Sequence, residues 1–254
     1  MTRPRLSAAL TWLRFEEAVH AVFTEALRRL ANSTQLEAAE EPINYALYWL
    51  SREVHHEMLK SQQGSIPFAI MFDSTNQPEP DDTVRCSRLR KRPDFGCIIT
   101  DSQAADFRRA QIGYHLECKR LGKAEGNWIL NENYSEHGMC RFMREESGYA
   151  KGCASAAMIG YMQNMEPGDI LTQVNSFADK REIPSLSKAA AAWATKDVTR
   201  ISQAPLNRTF DTSPVQVSHF WIDLRHCKFE KAQPKKVHKT VRPVNRAKKV
   251  RTEE

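Results

Sequence analysis

The chain opens on a stretch in which apolar residues recur at helical spacing. Leu10, Leu13, Ala18, Val22, Leu27 and Leu30 mark a helix over residues 4–31, and Asn32-Ser33-Thr34 end it. A second helical pattern covers about 42–60, with Ile43, Leu47, Leu50, Val54 and Met58 on one face. Pro42 suits its first turn, and the pair Glu40-Glu41 precedes it, where free amides favour negative charge. The period then changes. Pro67–Phe72 is a short apolar run that predicts a strand, and STNQPEPDDT after it is a polar loop. PDFGCIITD and IGYHLECKRLG predict two further strands, joined by a polar stretch around 101–111. Residues 134–164 predict two helices broken at Gly148 and Gly152. Residues 165–184 predict a loop, and SLSKAAAAWATKDV predicts a helix. VQVSHFWIDLRH alternates polar with apolar residues and predicts a late strand. Helices, then strands, then helices, then a strand fit an α/β or α+β sheet with helices packed on its faces.

Composition narrows the class. At 254 residues and 41% apolar content, the chain can bury one sizeable core. We expect a single domain over 1–230 and a separate tail over 231–254. No run approaches the ~20 apolar residues of a membrane span, and the N-terminus, interrupted by Arg14, Glu16 and Glu17, has no cleavage pattern. The expectation is a cytoplasmic protein with no membrane partner. Six cysteines, at 86, 97, 118, 140, 153 and 227, form no CxxC pair and no zinc-finger spacing, so reduced thiols are expected. The net charge of +6 is uneven: the tail carries nine Lys/Arg against two Glu, and the rest of the chain 28 basic against 29 acidic residues. Such a tail reads as a sequence-independent phosphate contact or as a solubilising terminus. Gly-rich phosphate loops and GxSxG are absent from the sequence.

The chemistry concentrates in Pro93-Asp94, then 22 residues, then Glu117-Cys118-Lys119. Along a strand, residues two apart share a face. Glu117 and Lys119 therefore project together and Cys118 points the other way. If the Asp94 strand pairs with this one, two carboxylates meet in a hard-oxygen site suited to Mg²⁺ or Mn²⁺. The bland alternatives are an exposed ion pair at Glu117 and Lys119, and a turn-forming Pro-Asp at 94. Upstream, Arg85, Arg88, Arg90, Lys91 and Arg92 read as a phosphate-steering rim or as a solvated loop. His115 falls on the Glu117 face, where it could line the site. His55-His56, with Glu53 and Glu57, lacks the HExxH spacing and reads as a polar helix face.

The stretch RPDFGCIITD…YHLECKRLG resembles the PD-(D/E)xK nuclease superfamily, over about 40–160 and most closely over 92–122. The resemblance implies a restriction-endonuclease-like α/β fold, a central mixed sheet flanked by helices. It implies a Mg²⁺-dependent (or Mn²⁺-dependent) endonuclease acting on nucleic acid, DNA first. Asp94, Glu117 and the backbone carbonyl of Cys118 would hold the metal, and Lys119 would assist the water. An upstream acidic residue would complete the set: Glu41 is the choice, with Glu40 and Glu53 as alternatives. In the helix expected after the ExK strand, Arg141, Lys151 and Gln163 are candidates for phosphate contact beside Arg88, Arg90 and Arg92, with an exposed helix face as the alternative. Tyr149 and Tyr161 could stack on a base or fill the core. With no specificity domain evident, the resemblance also implies a protein partner (a helicase, ATPase or sensor subunit) or a homodimer, in a prokaryotic restriction or anti-phage defence system. The rival is a catalytically inactive member of the same fold that binds nucleic acid or a partner.

Overall fold

The computed structural model describes residues 8–33, 35–61, 66–75, 84–101, 104, 110–188, 192–211 and 213–230. The basic segment 231–254 and the first seven residues of the chain lie outside them. Helix α1 (Ala8–Ala31) is followed by a short strand β1 (Gln35–Glu37) and helix α2 (Glu40–Lys60). Next come β2 (Ala69–Phe72), one turn of helix α3 (Arg85–Arg88), and the strands β3 (Phe95–Thr100) and β4 (Gln111–Leu121). A broken helical segment follows: α4 (Leu130–Tyr134), a π-helical turn over Ser135–Met139 and α5 (Cys140–Met143). The described residues end in β5 (Ser155–Met162), α6 (Pro167–Asp179), β6 (Leu186–Lys188), β7 (Val198–Gln203), β8 (Gln216–Asp223) and β9 (Lys228–Glu230).

Seven strands form one mixed sheet in the order β2-β3-β4-β5-β8-β7-β6. β4, β5 and β8 run parallel in the middle, and antiparallel pairs extend both sides. Helices α1 and α2 cover one face, burying Phe15, Val19, Phe23, Leu27, Ile43 and Leu47 against Leu116, Cys118, Ile159 and Phe220. The α4–α5 segment and α6 cover the other, packing Tyr134, Phe142, Ile170 and Val174 on Leu121, Met158, Met162 and Trp221. Alternation along β4 therefore deals its side chains to two different cores. β1 and β9 make a small parallel pair of their own.

Three expectations from the sequence are corrected. Residues 155–162, expected as helix, form β5. Its eight residues are all buried, flanked by parallel strands and covered on both faces, so no alternation shows. Residues 167–179, expected as loop, form α6: Pro167 opens it, and Ile170, Val174 and Ala178 recur four apart on its buried side. In the segment expected as helix, Leu186–Lys188 pair with β7 as an edge strand instead. Strand β7 buries Thr199, Ile201 and Gln203, and its mostly polar inward face concealed the period.

Candidate active site

The phase of β4 places the functional side chains. Cys118 turns into the core beneath α1 and α2, while Glu117 and Lys119 rise on the opposite face. The register pairs Phe95 with Leu116, so Asp94, one residue earlier, arrives beside Glu117. Asp94 is held there by its own carboxylate, whose Oδ2 accepts the Cys118 amide at 2.7 Å. Glu40 enters from α2. That helix start is fixed by two donors on the Ala38 carbonyl, Arg120 Nη1 at 3.2 Å and Gln163 Nε2 at 2.8 Å.

The Lys119 ammonium lies at the centre. It donates to the Cys118 carbonyl at 2.6 Å and to Glu40 Oε1 at 2.8 Å, and it stands 2.8 Å from Glu117 Oε1 and 3.9 Å from Asp94 Oδ2. Glu40's second oxygen accepts the Arg120 amide at 3.3 Å. From α5, Arg141 Nη1 donates to Glu117 Oε1 and to the Tyr149 hydroxyl, and its guanidinium lies over the Tyr149 ring. The π-helical turn closes over the cluster: a Cβ on Gly138 would stand 3.5 Å from Lys119 Cγ and 2.5 Å from Met158 Cε. A side chain here would press on the flexible end of Met158 rather than on Lys119, which it would meet at ordinary van der Waals distance.

Three carboxylates thus share two cations, and the electrostatics follow. Burial pushes the Asp94 carboxyl well above the usual carboxylate range; Glu117 and Glu40 add to this and Lys119 opposes it. Burial also raises Glu117, against the pull of Lys119 and Arg141. Lys119 is held above the ordinary lysine value, because Glu117, Glu40 and Asp94 outweigh the desolvation that lowers it. One atom is left over: Glu117 Oε2 is buried and has no hydrogen-bond partner. A buried carboxylate oxygen without a donor is costly.

Among the described residues no group of three or more His, Cys, Asp and Glu side chains is arranged to hold a metal ion. The sequence predicts a smaller protein set, two carboxylates with water completing the shell, to which the resemblance adds the main-chain carbonyl of Cys118. Those donors are present, all of them hard oxygens, and Glu117 Oε2 is free to accept a cation. The chemistry of these donors suits Mg²⁺ or Mn²⁺.

The other candidates divide. Of the two first-turn glutamates of α2, Glu40 reaches Lys119, whereas Glu41, the residue favoured by the sequence, is exposed. One residue is about 100° of helix, which decides the matter. Glu53, also on α2, instead faces Arg29. Arg88 was expected on a phosphate rim but is buried, donating to the Glu145 carbonyl at 2.7 Å and lying over Phe210. Gln163 is buried too and serves the start of α2. Arg90 and Arg92 are exposed, with Arg92 paired to Asp73, and Lys151 is half-buried in the turn between Gly148 and Gly152. Tyr161 belongs to the core, its hydroxyl donating to Asn44 at 2.8 Å. His115 lies on the Glu117 face. Burial lowers its pKa to about 4, so the ring is neutral and its Nδ1 accepts the Ala150 amide. His55 is buried on Phe68 rather than on a polar face.

Sequence reading missed Arg208. Its buried guanidinium collects the carbonyls of Tyr149, Ala150 and Cys153, and so fixes the turn that carries Tyr149 beneath Arg141. Nothing local to Arg208 in the sequence announces this. A scan against protein-family models, a search of curated proteins and a search of solved structures each found no match.

Proposed function

We propose that the chain is a metal-dependent nuclease of restriction-endonuclease-like fold that hydrolyses phosphodiester bonds in nucleic acid, with DNA as substrate. One observation carries the reading: the two halves of the PD…ExK motif, 22 residues apart, meet through strand register around a single ammonium. Asp94, Glu117 and the Cys118 carbonyl would hold Mg²⁺ or Mn²⁺. A bound ion of this kind supplies charge stabilisation at phosphate and a water of lowered pKa. Lys119 orients that water and neutralises charge building on the phosphate. Glu40 positions Lys119 through its 2.8 Å contact. Arg141, paired with Glu117 and with its side chain 30% exposed, binds a phosphate oxygen.

A second reading has its own support. Lys119 already satisfies Glu40, one oxygen of Glu117 and the Cys118 carbonyl, so the cluster, Glu117 Oε2 apart, also suits an ion-pair network in an inactive nucleic-acid-binding member of the fold. Cleavage of supercoiled plasmid separates the two. The wild type is assayed in Mg²⁺, Mn²⁺ and EDTA beside Glu117→Gln and Lys119→Ala. The nuclease reading expects metal-dependent nicking that falls by at least ~10²-fold in both variants. Metal-independent cutting, or variants as active as the wild type, would remove it; plasmid binding without cutting in either metal selects the second reading.

A further inference from the structure

The loop that leaves β4 carries two adjoining exposed apolar side chains, Trp128 at 55% and Ile129 at 41%. The loop is tied down. Glu125 and Trp128 exchange both main-chain hydrogen bonds, at 2.9 and 3.0 Å. The Glu125 carboxylate is held at 2.8 Å by Arg120, the residue directly after Lys119. The indole is stacked on the His137 ring, with 21° between the planes and 6.2 Å between centroids. His137 immediately precedes Gly138, the residue that lies against Lys119, and it stands one helical turn before Arg141, which binds Glu117. The His137 ring feels the Glu136 carboxylate first, and then the positive charge of Arg141, Lys119 and Arg144. Moving outward from the buried Lys119, the partly exposed Arg141 is followed by the exposed His137 and then by an open indole face.

A partly exposed cation beside an aromatic face matches what a single strand requires: phosphate neutralised and bases stacked on rings. A base inside a duplex has both faces covered by its neighbours and offers none to an indole. We propose that Trp128, backed by His137, is a stacking shelf for an unpaired base of the strand bound at Lys119, so that the preferred substrate is single-stranded or locally opened nucleic acid. This inference rests on the nuclease reading and narrows its substrate class.

The test is fluorescence anisotropy in EDTA with a fluorescein-labelled oligothymidylate of about 12 nucleotides and with a blunt duplex of the same length. Wild type is compared with Trp128→Ala and Trp128→Phe. Alanine is expected to weaken single-strand binding about tenfold, from ~1–3 kcal/mol per stacked base, and phenylalanine to stay within about threefold. Duplex binding should not change. With one abasic position walked along the oligonucleotide, the wild type should lose affinity at one position where Trp128→Ala is indifferent. Equal single-strand affinity in wild type and Trp128→Ala overturns the shelf, as does an equal loss on duplex. Single-strand binding unchanged in Trp128→Ala, with an altered elution volume in gel filtration, also overturns it and assigns the face to a protein contact. Metal-dependent cleavage by the wild type, assayed in parallel, keeps the two proposals apart. If the wild type cuts and Trp128→Ala binds normally, only the shelf fails. If the wild type neither binds nor cuts nucleic acid, the nuclease reading fails with it.

Discussion

Replacing Lys119 with methionine keeps most of the side-chain volume and removes the charge that Glu117, Glu40 and Asp94 surround. The Lys119 side chain is 9% exposed and that of Glu117 is not exposed at all, so water does not replace the lost ammonium. Removing one partner from a buried ionic cluster costs ~3–5 kcal/mol. In a chain of this size that lowers the melting temperature by roughly 6–20 °C. The cost has a pH signature. Asp94 and Glu117 are already raised in the wild type, and without Lys119 they rise further, so the folded variant binds more protons than the unfolded chain. Stability of the variant relative to wild type should therefore improve as pH falls, by about 1.4 kcal/mol per pH unit for each proton taken up. Divalent metal should do the same at constant pH by supplying the missing positive charge. The assay is urea unfolding followed by circular dichroism from pH 8 downward, with and without Mn²⁺. A deficit under ~1 kcal/mol, unaffected by pH and by metal, would refute the claim that Lys119 is the counter-ion of this cluster.

The buried histidines predict the opposite trend. His219, hydrogen-bonded to Tyr134 and Gln203, has its pKa lowered to about 3 by burial. A folded-state pKa depressed below the unfolded value of ~6.5 means that stability is lost as pH drops below that value, about 2 kcal/mol by pH 5. Wild type should lose that much more than His219→Gln between pH 7 and pH 5 in urea titrations; parallel curves would show that His219 is not held neutral. Burial lowers His20 and His115 to about 4, and these add to the same trend in both proteins, so they cancel in the difference. Gly160→Ala would put a Cβ 2.5 Å from Leu121 Cδ1 and 2.8 Å from Trp221 Cδ1, in a core that is fully buried. Overpacking of this kind costs ~1–3 kcal/mol, and calorimetry should show it. An unchanged melting temperature would mean that the sheet yields locally at its centre.

Helices α1 and α2, each with an exposed side, show their apolar spacing, and β8, though buried over most of its length, was legible because VQVSHFWIDLRH begins by alternating polar with apolar residues. β3 and β4 were legible as apolar runs around the motif. β5 was not: Ala156, Ala157, Met158 and Gly160 favour no strand, and burial on all sides erases the period that would have exposed it. In the site, Asp94, Glu117 and Lys119 were visible from residue type and spacing, and Arg141 only as one of three candidates that the resemblance offered. Glu40 against Glu41 was not, because Pro42 and the acidic pair fix the helix start only to within a residue, and helical phase decides which carboxylate turns inward. Arg88 misled because a cluster of basic residues looks alike whether solvated or buried. Only the Glu145 carbonyl and the Phe210 ring distinguish it.

The pairing of β3 with β4 separates two properties of the motif that the sequence presents as one. The distance between Asp94 and Glu117 along the chain is set by the connection between Thr100 and Gln111, whereas their meeting in space is set by the rungs Phe95↔Leu116 through Thr100↔Gln111. Insertions or deletions in that connection are therefore cheap, since each doubling of a loop costs only ~0.6 kcal/mol. Removing one residue inside β4, between Tyr114 and Glu117, would invert every side chain beyond it. That would drive the two charges into the apolar layer under α1 and α2 and leave the thiol of Cys118 in their place. The motif's length is negotiable, but its parity is not.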